Sequence, residues 1–164
     1  MLMGRAFIPV KVLKSFKTWK TGDMVLLEDW KAKELWESGI VEIIDESEKI
    51  ISELDQVIAE ERANEPIMPL PTGLYSRAEF YIYYLENYVR NKAEIEIDVL
   101  NAKMTKLSNL KKKYQHLKKL RFKKILNAIM FRPGSLEILN RLAPEEKKIY
   151  LQISQIRNEW LGES

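Results

Sequence analysis

The sequence predicts an α+β fold, mainly α, in which a small β-rich domain over residues 1–44 precedes a helical bundle domain with long helices over residues 45–164. Three observations predict it. The row AFIPVKVLKSF alternates Val10, Lys11 and Val12 as a strand with one wet face requires. From Asp45 onward the apolar residues recur at steps of three and four, the period of an amphipathic helix. A chain of 164 residues accommodates two unequal units of this kind.

In the first part, Pro9 suggests an edge strand or a strand start, because proline cannot donate to a ladder. Lys20-Thr21-Gly22-Asp23 supplies turn chemistry before Met24-Val25-Leu26-Leu27, a second strand of a hairpin-like pair. Glu28-Asp29 then introduces the short helix DWKAKELWESG, with Trp30, Leu35 and Trp36 on one side and Gly39 at its stop. Ile40 to Ile44 returns to strand character, so the unit is β-rich with one packed helix anchored by Trp30 and Trp36.

Residues 45–64 place Ile50, Ile51, Leu54, Val57 and Ile58 at helical spacing among acids. Pro66, Pro69, Pro71 and Gly73 make a short ordered connector, after which Ser76, with Glu79 three positions on, reads as the N-cap of a capping box. That helix carries Phe80, Tyr81, Tyr83, Tyr84 and Tyr88, too many rings for one narrow stripe, and is expected to be buried from more than one side. Residues 93–131 read as one extended helix or two joined near Ser108-Asn109, with a seam of Leu100, Met104, Leu107, Leu110, Tyr114, Leu117 and Leu120. Arg132-Pro133-Gly134 ends it. Pro144-Glu145-Glu146 opens the last helix, whose apolar face is read as Ile149, Ile153, Ile156 and Trp160.

Charge is segregated along the chain. Residues 28–65 hold thirteen acids and four bases, whereas residues 101–132 hold eleven bases and no acid. Such segregation speaks to association and steering rather than to fold. The absence of cysteine excludes disulfides, thiolate zinc sites and a cysteine nucleophile. Met1-Leu2-Met3-Gly4-Arg5 lacks the apolar core of a signal peptide, and no run of about 18 apolar residues occurs, so a soluble, non-secreted protein is expected.

Catalytic signatures are missing. The lone histidine, His116, has no cysteine or second histidine with which to share a metal, and surface placement is the expectation. Glu94, Glu96 and Asp98 are better explained by the positive end of a helix dipole than by acid–base chemistry. No phosphate-cradling glycine string occurs. No cofactor and no small-molecule substrate are expected.

The one site-like feature is KKKYQHLKKLRFKK, from Lys111 to Lys124. Helix geometry turns Tyr114, Leu117, Leu120 and Ile125 inward and leaves Lys111, Lys112, Lys113, Lys118, Lys119, Arg121, Lys123 and Lys124 as candidates for contact. Their partner is either an acidic protein surface or nucleic-acid phosphates; phosphate binding would weaken steeply with salt. A stand-alone nucleic-acid-binding protein is therefore the alternative to a protein-docking role.

Against this background, VKVLKSFKTWKTGDMVLLEDWKAKELWESGIVEII resembles the small B domain of GINS subunits. LRFKKILNAIM, with Arg121, Lys124 and Ile125, and LAPEEKKIYLQISQIRNEW, with Leu142, Glu145, Tyr150, Ile153 and Trp160, resemble the helical A domain of the same family. The order, small domain first, is similar to the archaeal subunit of the class that places B before A. The resemblance implies a replication factor without enzymatic activity that forms a tetramer with a sister GINS subunit and joins the MCM helicase and a RecJ-like protein at the fork. It places the protein in the cytoplasm, on the nucleoid, with DNA contacted indirectly and no membrane involved. Phe80, Tyr81, Tyr84, Tyr88, Leu100, Met104, Leu107, Leu110 and Leu117 would then build core and subunit contacts.

Overall fold

A computed structural model of the chain describes residues 6–91 and 96–163. Its elements are β1 (Phe7–Val12), β2 (Met24–Glu28), α1 (Asp29–Glu37), β3 (Val41–Ile43), α2 (Ser47–Ala63), α3 (Leu74–Arg90), α4 (Ile97–Phe131), α5 (Leu136–Arg141) and α6 (Pro144–Leu161). The small antiparallel sheet followed by long helices is the α+β, mainly α fold expected. Residues 97–131 are one continuous helix, while the expected start at Ala93, and Glu94 with it, lie outside the described residues. Contacts group the chain into two compact units, Met1–Ser52 with Gly73–Lys112, and Glu53–Thr72 with Lys113–Ser164.

In the first unit the strands run in the order β2-β1-β3. Ile8, Val10 and Val12 are fully buried, whereas Phe7 and Lys11 face water, as a period of two demands. Pro9 is consequently in the central strand, not at an edge. What makes this tolerable is a replacement donor: the Ile44 N–H donates to the Pro9 carbonyl at 3.1 Å, so the reciprocal ladder bond would need a donor that proline lacks. Tyr81 supplies it from α3, its hydroxyl donating to the Ile44 carbonyl at 3.0 Å. Burial, followed by the nearby Glu46 carboxylate, pushes the Tyr81 phenol well above its ordinary pKa, which keeps it a donor.

On α1 the inward residues are Ala32 and Leu35; Trp30 is 43% exposed and its indole N–H donates to Glu28. Trp30 is therefore not the anchor expected. Trp36 is, packing at 5.9 Å and 5.3 Å from the rings of Tyr83 and Tyr84. Gly39, at φ 74°, takes the left-handed conformation that ends α1.

Ser76 does not cap α3. The helix starts two residues earlier, at Leu74, behind Gly73 at φ 70°, and Ser76 is buried in its first turn. Burial of Leu74 and Tyr75 outweighs the cap signal, because two large apolar side chains stabilise more than one capping bond.

Asp45 ties this unit together electrostatically. It accepts from the Ser47 amide at 2.9 Å and from Lys103, and Lys106 lies 4.0 Å away. Burial pushes its carboxyl up, but the hydrogen bonds from Lys103 and Ser47 outweigh that and hold it below the usual value. A lowered folded-state pKa contributes stability above the ordinary carboxyl range that is lost as pH falls through the lowered value. Denaturation between about pH 5 and pH 2 is therefore expected to show a shallower acid loss for Asp45→Asn than for the parent.

In the second unit, Ile67, Ile125, Ala128, Ile129, Leu142 and Tyr150 form the apolar core, with Ile138, Leu139 and Ile153 against it. Helix α5, which the sequence did not announce, is capped by Ser135, whose hydroxyl accepts from the Ile138 amide at 3.4 Å.

Candidate functional site

The basic stretch of α4 is less available than its sequence suggests. Arg121 has its side chain wholly inside the second unit, at 0% exposure for the residue. Its Nε and Nη2 donate to the two carboxylate oxygens of Glu146 at 2.6 and 2.7 Å, and Nη1 donates to Glu61 at 2.6 Å and to the Met68 carbonyl. Glu61 also takes the Met68 amide at 3.0 Å, and Glu146 the Ala143 amide at 2.8 Å, so α6 is capped by the same carboxylate that holds Arg121. Lys124 donates to Glu61 at 2.7 Å and to the carbonyls of Glu61, Asn64 and Pro66, which closes the C-terminus of α2 where helical carbonyls lack partners. Arg121 is thus removed from any contact surface, since burial of a charge requires this degree of pairing, and the half-buried Lys124 is committed to the end of α2.

Among the remaining candidates, Lys111 pairs with Glu86 at 2.7 Å, Lys113 with Asp55, and Lys118 lies 5.0 Å over the Tyr114 ring. Lys112, Lys119 and Lys123 are exposed. His116 is half-buried and meets Arg62, with Nη2 2.8 Å from Nε2, which casts the ring nitrogen as acceptor. Among the described residues no group of His, Asp or Glu could hold a metal ion, and no helix is long and apolar enough to cross a membrane.

The expected interface residues divide. Phe80, Tyr81, Tyr84, Leu110 and Leu117 are buried within the chain and build its core, so they present nothing to a partner. Tyr88, Leu100 and Leu107 are half-buried, Tyr88 beneath the Lys103 ammonium at 5.0 Å, and Met104 is exposed. Five of the nine expected core and subunit contacts are therefore core in the chain itself.

Uncovered apolar side chains lie elsewhere. On α6 the inward face is Glu146, Tyr150 and Ile153, so of the four residues read as its apolar face only Ile153 packs inward: Ile156 is 65% and Trp160 85% exposed, with Ile149 beside them. Phe122, Leu126 and Met130, at successive steps of four on α4, are exposed as well. Sequence reasoning missed this second stripe although its spacing was visible, because the lysines around it drew the helix's polar face over it. It missed Glu61 and Glu146 as partners of Arg121 for a different reason: both stand among many surface acids, and nothing local marks them.

An apolar stripe is thus left uncovered on each of two helices. No protein-family model matches this chain, and no curated protein matches it.

Proposed function

We propose that the chain is a non-catalytic subunit of a GINS-like replication complex. It assembles with a sister subunit into a tetramer and scaffolds and stimulates the MCM helicase together with a RecJ-like partner. Its place of work is the cytoplasm, at forks on the nucleoid. The observation that carries the reading is the outward stripe Ile149, Ile156 and Trp160 on α6, in a chain whose small sheet precedes its helices.

Such a stripe serves assembly rather than catalysis. Burying the exposed Ile156 and Trp160 removes the largest apolar area of the three, with Ile149, 39% exposed, contributing less, and such anchors carry most of an interface's binding energy. The commitment of Lys111, Lys113, Lys118, Arg121 and Lys124 to neighbours in the chain weighs against a DNA-binding role for that face.

The function is tested by strand displacement. Unwinding of a forked duplex by the MCM helicase from the same genome is expected to rise when this chain and its sister subunit are added together. Unchanged unwinding, with the complex formed and the helicase active, would refute the stimulatory role.

A further inference from the structure

We propose that the connection between β1 and β2, residues 13–23, binds single-stranded nucleic acid, with the rings of Phe16 and Trp19 stacking bases and Lys14, Lys17 and Lys20 holding phosphates. The site goes beyond the scaffold role and shares no residue with the stripes on α4 and α6.

The connection is built as a second, smaller hairpin. Phe16 and Trp19 exchange both backbone bonds, at 3.1 and 3.0 Å, around the two-residue turn Lys17-Thr18. This holds their rings 6.1 Å apart and 38° from parallel, neither ring belonging to the buried core. Lys17 stands 5.4 Å over the Phe16 ring. Lys14, Lys17 and Lys20 are all exposed, and among the described residues no carboxylate forms a salt bridge with them. The one acid of the connection, Asp23, accepts from the Lys20 amide at 2.8 Å and so is turned to the backbone.

Lys17 also sits at φ 54°, the one non-glycine residue with positive φ among those described. Glycine is the natural occupant of such a turn position, so lysine there keeps a cation at the tip against the backbone's preference.

Half-buried rings, each with an edge left to solvent, interleaved with exposed lysines are what a single strand can use: its bases present π faces and its phosphates present charge. An acidic peptide would use the lysines and leave the rings without a role. A duplex would hide its bases. The basic face of α4 differs in this respect: Tyr114 is buried, and its other ring, Phe122, belongs to the apolar stripe with Leu126 and Met130.

The test is fluorescence anisotropy of a labelled oligothymidylate titrated with the full chain, over a series of salt concentrations. Binding is expected with a log–log salt slope of about −2, the value for three phosphate contacts on a single strand. Trp19→Ala should weaken it by on the order of tenfold, and Trp19→Tyr, which keeps a ring, should not. Lys17→Gly should weaken binding while leaving the thermal midpoint unchanged or higher, a split that a purely structural role for Lys17 would not produce. Circular dichroism checks that each variant folds. Failure of the oligonucleotide to bind at low salt would overturn the proposal. So would loss of binding on Lys112, Lys119 and Lys123→Glu with none on Lys14, Lys17 and Lys20→Glu. Equal affinity for labelled polyglutamate, with Trp19→Ala silent, would instead make the hairpin an acidic-partner site and equally end the proposal. Assembly mass is expected to stay unchanged in every hairpin variant, so this test and that of the scaffold reading fail independently.

Discussion

Replacement of Arg121 by methionine is expected to destabilise the second unit by about 3–5 kcal/mol, because it leaves Glu61 and Glu146 buried with their strongest donor gone. At about 2–4 °C per kcal/mol for a chain of this size, the thermal midpoint should fall by about 6–20 °C. Lys124 can still neutralise Glu61 at 2.7 Å, so the larger part of the loss falls on Glu146, which has both oxygens on Arg121 at 2.6 and 2.7 Å. Converting both acids to glutamine in the same chain should recover much of that stability, since the amides remain able to bond the Met68 and Ala143 amides without carrying charge. Calorimetry of the single and triple variants checks both statements. A single variant as stable as the parent would mean that the network contributes little.

Charge placed on the outward face of α6 is expected to act in the opposite manner, on assembly and not on folding. Trp160 is 85% exposed, so Trp160→Glu removes almost no packing from the isolated chain and its thermal midpoint should stay within a degree or so. Against a sister subunit the same change removes an aromatic anchor and buries a charge. Truncation of such an anchor typically costs at least about 2 kcal/mol, or about thirtyfold in affinity, and Ile156→Asp together with it should abolish the complex. Co-purification of the two chains through a tag on the sister reads the effect directly. Retention of the complex by the double variant would place the interface elsewhere on the chain.

How much of this could be read from the sequence depends on how local each cause is. Strand alternation around Val10 and the steps of three and four through Leu117 report burial along one element, and the fold class follows from them. Pro9 in a central strand could not be read, because the donor that replaces its missing N–H is Tyr81, 37 residues beyond the carbonyl it serves. The cap at Ser76 failed for a related reason: the burial of Leu74 and Tyr75 is a tertiary effect that a capping signature does not contain.

At the candidate site the limits are sharper. A single stripe on α6 was legible, and which of its residues turn inward was not, since Tyr150 lies beside Ile153 and only packing against Ile125, Ile129 and Leu142 selects that edge of the stripe. Arg121 was legible as a basic candidate for surface contact and not as a buried charge; its role is set by two acids, 60 residues before it and 25 after. Charge runs hide buried charges in this way whenever the partner is remote in sequence.

The measurement that bears most directly on the scaffold reading is the mass of the purified chain by light scattering, alone and after co-expression with candidate sister subunits from the same genome. A stable particle of about four chains, formed with a sister and lost on Ile156→Asp with Trp160→Glu, is the predicted result. A clean monomer that ignores every candidate, at concentrations well above those of the co-expression, would contradict it.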